Sequence, residues 1–239
     1  MLLLIAAAFF AARMFRGNEA SRPKRDIDPG RPMVALTFDD GPCAGASDRI
    51  LDVLEANGAV ATFFEVGSNV ERYPEITARA DSLGCEIGSH TYAHIDLPSS
   101  DEDLLKADRT LCEQAFRNAM GYVPIIMRPP GGALNGTVKL FYDYPFFGWS
   151  VDTEDWKTRN SEDTVERIKA FGNLDGQVVL MHSIYDSTAD AVQQIVPWLL
   201  EQGYQLVTVS ELMENRYGTV PEEHVYYTVD YFLYGMEAN

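Results

Sequence analysis

Short apolar runs alternate along the chain with longer segments in which apolar residues return every three or four positions. The runs at residues 33–38, 61–66, 86–89, 125–128, 146–150, 177–181 and 205–208 are too short for stable helices and are bounded by turn residues, so they read as strands. Between them the pattern predicts helices with readable ends. One covers 47–56 and stops at Asn57-Gly58; another covers 74–83 and stops at Gly84. A longer helix starts from a Ser100 cap and runs to about residue 119. Two more span 161–171 and 187–202, the second followed by Gly203. No segment repeats at a fixed period. The alternation predicts βα units in a single α/β domain, and seven strands suit either a barrel or a large open sheet.

The polar residues that interrupt this pattern fall where strands end. Asp39 and Asp40 follow the first strand, His90 the third, Asp152 and Asp155 the fifth and His182 the sixth, while Arg128 closes the fourth. In a βα barrel the carboxyl ends of the strands converge on one face, so residues far apart in sequence can meet there. Thr37-Phe38-Asp39-Asp40-Gly41-Pro42 sets two carboxylates before a turn. The pair suggests divided labour, one binding a cation and one handling a proton, although such a string by itself is more often a solvated turn. His90 and His94 stand four apart, a spacing that puts both imidazoles on one side of a helical turn or a tight loop, where both can offer a nitrogen to one ion. The blander reading is a pair of surface histidines. Against it, His90, His94 and His182 are three of only four histidines, and only His224 lies away from a strand end. With Asp40 as third ligand the set leaves coordination positions open, which is a catalytic arrangement.

Arg128-Pro129-Pro130-Gly131-Gly132 combines two prolines that fix φ with two glycines that let the backbone approach a ligand. Its functional reading has Arg128 holding Asp39 and the Gly131 N–H facing a developing oxyanion; its blander reading is a stiff loop with a solvated arginine. Asp152 to Trp156 supplies acids beside an aromatic wall, and Leu180-Met181-His182 sets a histidine just past an apolar strand, a candidate general acid opposite a metal site.

Composition narrows the classes. A formal charge of −17 over 239 residues is uneven: Arg13, Arg16, Arg22, Lys24, Arg25 and Arg31 crowd into residues 13–31, leaving 13 of the 19 basic and 33 of the 36 acidic residues elsewhere. A body this acidic repels nucleic acid and anionic lipid, so no nucleic-acid partner is expected. Residues 1–12 are apolar and resemble a signal-peptide core or the remnant of a membrane anchor, shorter than the ~20 residues that span a bilayer. The basic residues follow this run instead of preceding it, the reverse of the bias that exports what comes after. Cys43, Cys85 and Cys112 are too few for a disulfide framework and fit no zinc-finger spacing; Cys85 and Cys112 read as buried small apolar residues.

Five elements in order, T-F-D-D-G-P, H-x-x-x-H, R-P-P-x-G, D-x-x-D-W and L-x-H, closely resemble the motif set of the polysaccharide deacetylases, carbohydrate esterase family four, across about residues 33–210. The resemblance implies a distorted (β/α)7 barrel as a single catalytic domain, and a divalent metal, zinc before cobalt, manganese or iron. It implies Asp39 as general base, Asp40, His90 and His94 as ligands, His182 as general acid, Arg128 orienting Asp39 and Asp155 tuning His182, with Trp156 and Leu180 lining an acetyl pocket. Gly131 stands where the family often has a bulky residue, and Ser183 where an acid is common. The expected organisation is then an apolar signal or anchor at 1–12, a basic linker at 13–31, the deacetylase domain at 32–210, and an extension at 211–239 whose Tyr226, Tyr227, Tyr231, Phe232 and Tyr234 serve packing or sugar binding. The expected substrate is an N-acetylated polysaccharide, peptidoglycan or chitin-like, with the protein extracellular or at the cell surface. Three other readings stand beside it: an O-acetyl xylan esterase on the same site; a non-haem iron oxygenase, which shares the two-histidine, one-carboxylate triad; and an inactive carbohydrate-binding domain, which intact Asp39 and His182 disfavour.

Overall fold

The computed structural model describes residues 25–142, 144–218 and 226–227. The apolar segment 1–12, the linker as far as residue 24, His224, Tyr231, Phe232 and Tyr234 lie outside the described residues. Strands β1 (Met33–Asp39), β2 (Thr62–Glu65), β3 (Glu86–Ser89), β4 (Phe146–Phe147), β5 (Val151–Asp152), β6 (Val178–His182), β7 (Gln205–Leu206) and β8 (Tyr226–Tyr227) are connected through helices. These are α1 (Ala46–Ala56), α2 (Gly67–Arg72), α3 (Pro74–Ser82), α4 (Glu102–Met120), α5 (Gly136–Phe141), α6 (Asp155–Thr158), α7 (Ser161–Ala170), α8 (Asp186–Glu201) and α9 (Val209–Arg216). All strand pairs are parallel. The main sheet runs β3-β2-β1-β6-β5, with β7 on β1. Bridges from Ser89 to Met127 and from Met127 to Phe146 carry the pairing on to β4 and its partner β8. The result is the α/β sheet that strand–helix alternation demands, curled into a distorted barrel.

Alternation along β1 defines the two sides of the sheet. Val34, Leu36 and Phe38 pack outward with Ile50, Leu51 and Leu54 of α1 and with Val192, Ile195, Val196 and Leu199 of α8. Met33 and Ala35 face inward with Phe64, Phe147, Val178 and Val207. Every residue of β1 is buried, as expected of a central parallel strand covered on both faces. By the same parity Thr37 and Asp39 continue the inward row, and so do Leu180 and His182 on β6 beyond Val178.

Several local expectations need correction. The long helix is capped by Asp101, whose side chain accepts the Leu104 N–H at 2.9 Å. The Ser100 hydroxyl instead donates to the Asp96 carbonyl at 2.8 Å, one position too early to serve the helix. The run at 125–128 contributes only the bridges at Met127, and the run at 146–150 yields only β4 at its start, with β5 beginning just past its end. The backbone there serves a side chain: Phe147 and Gly148 give their carbonyls to Arg128. Helix α9 runs across residue 210 and buries Leu212 and Met213 in the interior cluster. Cys85 and Cys112 are buried and are not bridged to each other. Among the described residues no helix is long and apolar enough to cross a membrane.

Glu65 ends β2 on the outward side, fully buried, with the Thr77 hydroxyl donating to it at 2.6 Å. Burial raises its carboxyl to about 8, against the opposing pull of that hydrogen bond. An unfolded glutamate titrates near ~4.3. Between these values the folded chain keeps a proton that the unfolded chain has lost, so stability falls as pH rises through this window and levels off above it. Glu65→Gln keeps an acceptor for Thr77 without the acid. It should melt ~2–4 °C above the parent at about pH 9, for each ~1 kcal/mol recovered, with the gap closing toward about pH 5. Melting curves by circular dichroism check this; a gap that does not depend on pH contradicts it.

Candidate active site

Strand parity directs Asp39 into the barrel, where it meets a fully buried cation. Arg128 Nη1 donates to Asp39 Oδ1 at 2.7 Å and to Thr37 Oγ1 at 2.8 Å, Nε to the Phe147 carbonyl at 3.2 Å and Nη2 to the Gly148 carbonyl at 2.7 Å. The guanidinium carbon lies 4.2 Å from the centre of the Phe64 ring. A guanidinium removed from water is tolerable only with its charge matched and most of its donors occupied; Asp39 matches the charge, and four of the five N–H donors have acceptors here.

Alternation alone would turn Asp40 to the opposite face. Its φ of 69° breaks the alternation, and the Asn69 side chain holds the bend by donating to the Asp40 carbonyl at 2.8 Å. Gly41 then passes so close to Ser183 that a Cβ would stand 2.2 Å from the serine hydroxyl oxygen. No side chain fits there. With the chain so bent, Asp40 Oδ1 lies 3.4 Å from Nε2 of both His90 and His94. One donor atom from each of the three residues falls within 4.8 Å of the others.

The donors fit a divalent cation. His90 Nδ1 sits 2.7 Å from the Arg128 carbonyl, and a carbonyl only accepts, so Nδ1 carries the proton and Nε2 presents its lone pair. Asp40 Oδ1 is buried without a hydrogen-bond partner among the described residues, a costly state for an anionic oxygen unless a cation takes the place of water. Burial pushes the Asp40 acid upward, but the surrounding imidazoles of His90, His182 and His94 outweigh it and hold the carboxyl below its ordinary value.

The segment from His90 to His94 is a loop, not a helical turn, with Thr91 and His94 at φ 66° and 52°. Its shape is set from α4: Asp108 Oδ1 accepts the Tyr92 N–H at 2.8 Å and Oδ2 accepts the Ala93 N–H at 3.0 Å. One buried carboxylate thus ties down the backbone between the two histidines.

The pairing of β1 with β6 sets His182 directly opposite Asp39. His182 Nδ1 lies 2.8 Å from Asp155 Oδ1, and its backbone N–H donates to Asp155 Oδ2 at 2.8 Å. Asp155 is fully buried and also accepts the Trp156 N–H at 2.8 Å and the Thr188 hydroxyl at 2.6 Å. Burial lowers the His182 pKa, but the hydrogen bond and charge of Asp155, with Asp39 and Asp40 adding to them, reverse the effect and raise it above 6.5. Leu180 is buried on β6, while Trp156 on α6 is 46% exposed. Gly131 sits at φ 61° in the turn that follows Arg128. Asp152 stands apart from this cluster: it is exposed and accepts the Glu154 N–H in a local turn. Asn69, Asp108 and Thr188 are supporting residues that no motif announced. The cue in each case is tertiary, since each acts on a residue in another element.

The family model described as polysaccharide deacetylase matches residues 26–144. A peptidoglycan-N-acetylglucosamine deacetylase of Bacillus cereus is 32% identical over 200 residues, covering 80% of this chain and 93% of that protein. The chain belongs to the polysaccharide deacetylase family. Another polysaccharide deacetylase relative, the peptidoglycan-N-acetylmuramic acid deacetylase PdaC of Bacillus subtilis, is 40% identical over 197 residues; the match covers 81% of this chain and 42% of that protein. The chain thus spans under half the length of this relative. Among solved structures, one described as T48 deacetylase with substrate is 36% identical with a TM-score of 0.79, covering 84% of this chain and all of that one.

Proposed function

We propose that this chain is a divalent-metal-dependent hydrolase that removes acetyl groups from N-acetylated sugars of a polysaccharide, with peptidoglycan N-acetylglucosamine or N-acetylmuramic acid as the substrate. The observation that carries the reading is the register of β1 with β6, which pairs an arginine-clamped carboxylate, Asp39, with a carboxylate-backed imidazole, His182, beside a three-donor cluster. Asp40, His90 and His94 would hold the metal, and zinc suits two imidazoles and one carboxylate best, with cobalt, manganese or iron tolerated by the same donors. When bound, such an ion supplies Lewis-acid polarisation of the acetyl carbonyl and of a water.

The protein's own groups divide the remaining work. Arg128 fixes Asp39 through Oδ1, so Oδ2 is the oxygen left to take a proton from the attacking water. The hydroxyl adds to the carbonyl carbon, and the Gly131 N–H donates to the oxygen that becomes anionic. His182 Nδ1 is engaged by Asp155, so Nε2 delivers the proton to the sugar nitrogen as the C–N bond breaks. Acetate and a free amino sugar result. Trp156 and the buried Leu180 bound the space for the acetyl methyl. The apolar segment 1–12 and a polymeric substrate together support a location outside the cell or at its surface.

An amine leaves poorly without protonation, whereas the alkoxide of an activated ester does not need it. His182→Ala should therefore depress turnover of N-acetyl substrates far more than turnover of activated O-acetyl esters. Because His182 titrates above its ordinary value, the alkaline limb of the N-acetyl profile should lie above 6.5 and belong to this residue. Paired N- and O-acetyl kinetics across pH test the reading. Equal losses on both classes, with the alkaline limb unchanged, would remove His182 as the acid.

A further inference from the structure

Arg159 is a cation that lies beside the candidate active site, one ring away from His182. It lies at φ 50°, just past α6, and is exposed. Many arginines here hold carboxylates: Arg49 pairs with Asp186 and Asp190, Arg79 with Asp52 and Glu55, Arg117 with Glu113, Arg167 with Glu154, and Arg216 with Asp175. Arg159 has no carboxylate partner among the described residues. Its Nε donates to the Trp156 carbonyl at 2.7 Å, and its guanidinium carbon stacks 3.5 Å from the centre of the Tyr185 ring. The Tyr185 ring in turn stands 5.9 Å from the ring of His182. The guanidinium is therefore held in place by a backbone bond on one edge and an aromatic face beneath it, and among the described residues no carboxylate takes its Nη groups, which can donate as a fork.

We propose that Arg159, seated on Tyr185, is a subsite for a carboxylate-bearing substituent of the glycan, so that acidic N-acetyl sugars of the muramic acid type are preferred over neutral ones. The assignment rests on the deacetylase reading above, since it takes His182, across the Tyr185 ring from Arg159, as the group that protonates the sugar nitrogen. Its chemistry follows from the parts. A planar guanidinium recognises a carboxylate through two parallel N–H donors, and fixing it in advance on an aromatic ring reduces the ordering cost of binding. A chain with net charge −17 otherwise repels an anionic polymer. A cation with no carboxylate partner among the described residues, set beside the catalytic imidazole, offsets that repulsion locally, and a neutral chitin-like chain would not need it.

Two measurements test the subsite. Metal-replete wild type, Arg159→Ala and Arg159→Lys are assayed on two N-acetyl oligosaccharides of equal length, one bearing free lactyl carboxylates and one neutral. The expected result is a fall of about tenfold in the acidic-to-neutral ratio of kcat/KM for Arg159→Ala, carried by KM, the size of one charge-assisted hydrogen bond in a partly exposed site. Arg159→Lys should fall between the two, keeping charge without the fork. An unchanged ratio overturns the subsite while leaving the deacetylase reading intact; absence of turnover by wild type on both substrates overturns that reading instead. In that case calorimetric titration of the acidic oligosaccharide into metal-free protein still decides the subsite: binding about tenfold weaker in Arg159→Ala supports it, and equal binding overturns it.

Discussion

Alanine at His90 is expected to empty the metal site and silence the enzyme in one step. His90 is buried, its Nδ1 is committed to the Arg128 carbonyl, and its Nε2 is one of the three donor atoms that converge among the described residues. Altering a residue that merely orients a metal ligand commonly costs ~10- to 100-fold in affinity, so deleting a ligand from a three-donor set should cost more than ~100-fold. Asp40→Ala and His94→Ala should follow, with one difference. His94 is half exposed, so its loss should leave the melting temperature of the metal-free protein nearly unchanged, whereas His90→Ala also opens a hole in the buried site. Elemental analysis after dialysis, read beside activity, is the check. Stoichiometric metal in both His90→Ala and His94→Ala would sink the assignment and with it the metal-dependent reading.

Asp39→Asn should behave in the opposite way, keeping metal while losing turnover by ~10²- to 10⁴-fold, the usual contribution of a general base. Asparagine is chosen because its carbonyl oxygen can still accept from Arg128 and hold the geometry. Alanine would instead strand a fully buried guanidinium, at ~3–5 kcal/mol, and confuse catalysis with folding. The neighbouring carboxylates thus make a matched pair of tests: Asp40 variants lose metal and rate together, and Asp39→Asn loses rate alone. Turnover near the wild-type level in Asp39→Asn, or loss of metal from it, would show that the labour is not divided in this way.

Much of this was legible before any fold was known, and the particular residues explain why. Apolar runs with turn residues at their ends mark β1, β2, β3 and β6 because a parallel strand covered by helices must be apolar on both faces. Asp39, Asp40, His90, Arg128, Asp155 and His182 stand out because charged or imidazole side chains at the ends of such strands have no packing role there. The strand expected at 125–128 was harder to read, since Met127 makes isolated bridges and the neighbouring carbonyls at Phe147 and Gly148 are spent on Arg128. The Ser100 cap failed by one residue for a related reason. Serine and aspartate are equally good caps, and Ser100 is already engaged with the Asp96 carbonyl.

The order of residues along the chain by itself determined the α/β class, the positions of the main strands and the identity of the side chains able to do chemistry, because hydrophobic periodicity and residue type are local properties. Which of those side chains share a cavity was decided only in three dimensions. Strand parity turns Asp39 inward, but Asp40 joins it only because Asn69, in another element, stabilises a left-handed bend. His90 offers Nε2 because the Arg128 carbonyl takes its other nitrogen, and a buried Asp155 that Thr188 helps to fix favours the charged form of His182. Arg159 is seated beside the site only through the Tyr185 ring beneath it. Each of these effects depends on a partner brought close by folding, and no spacing along the chain encodes it.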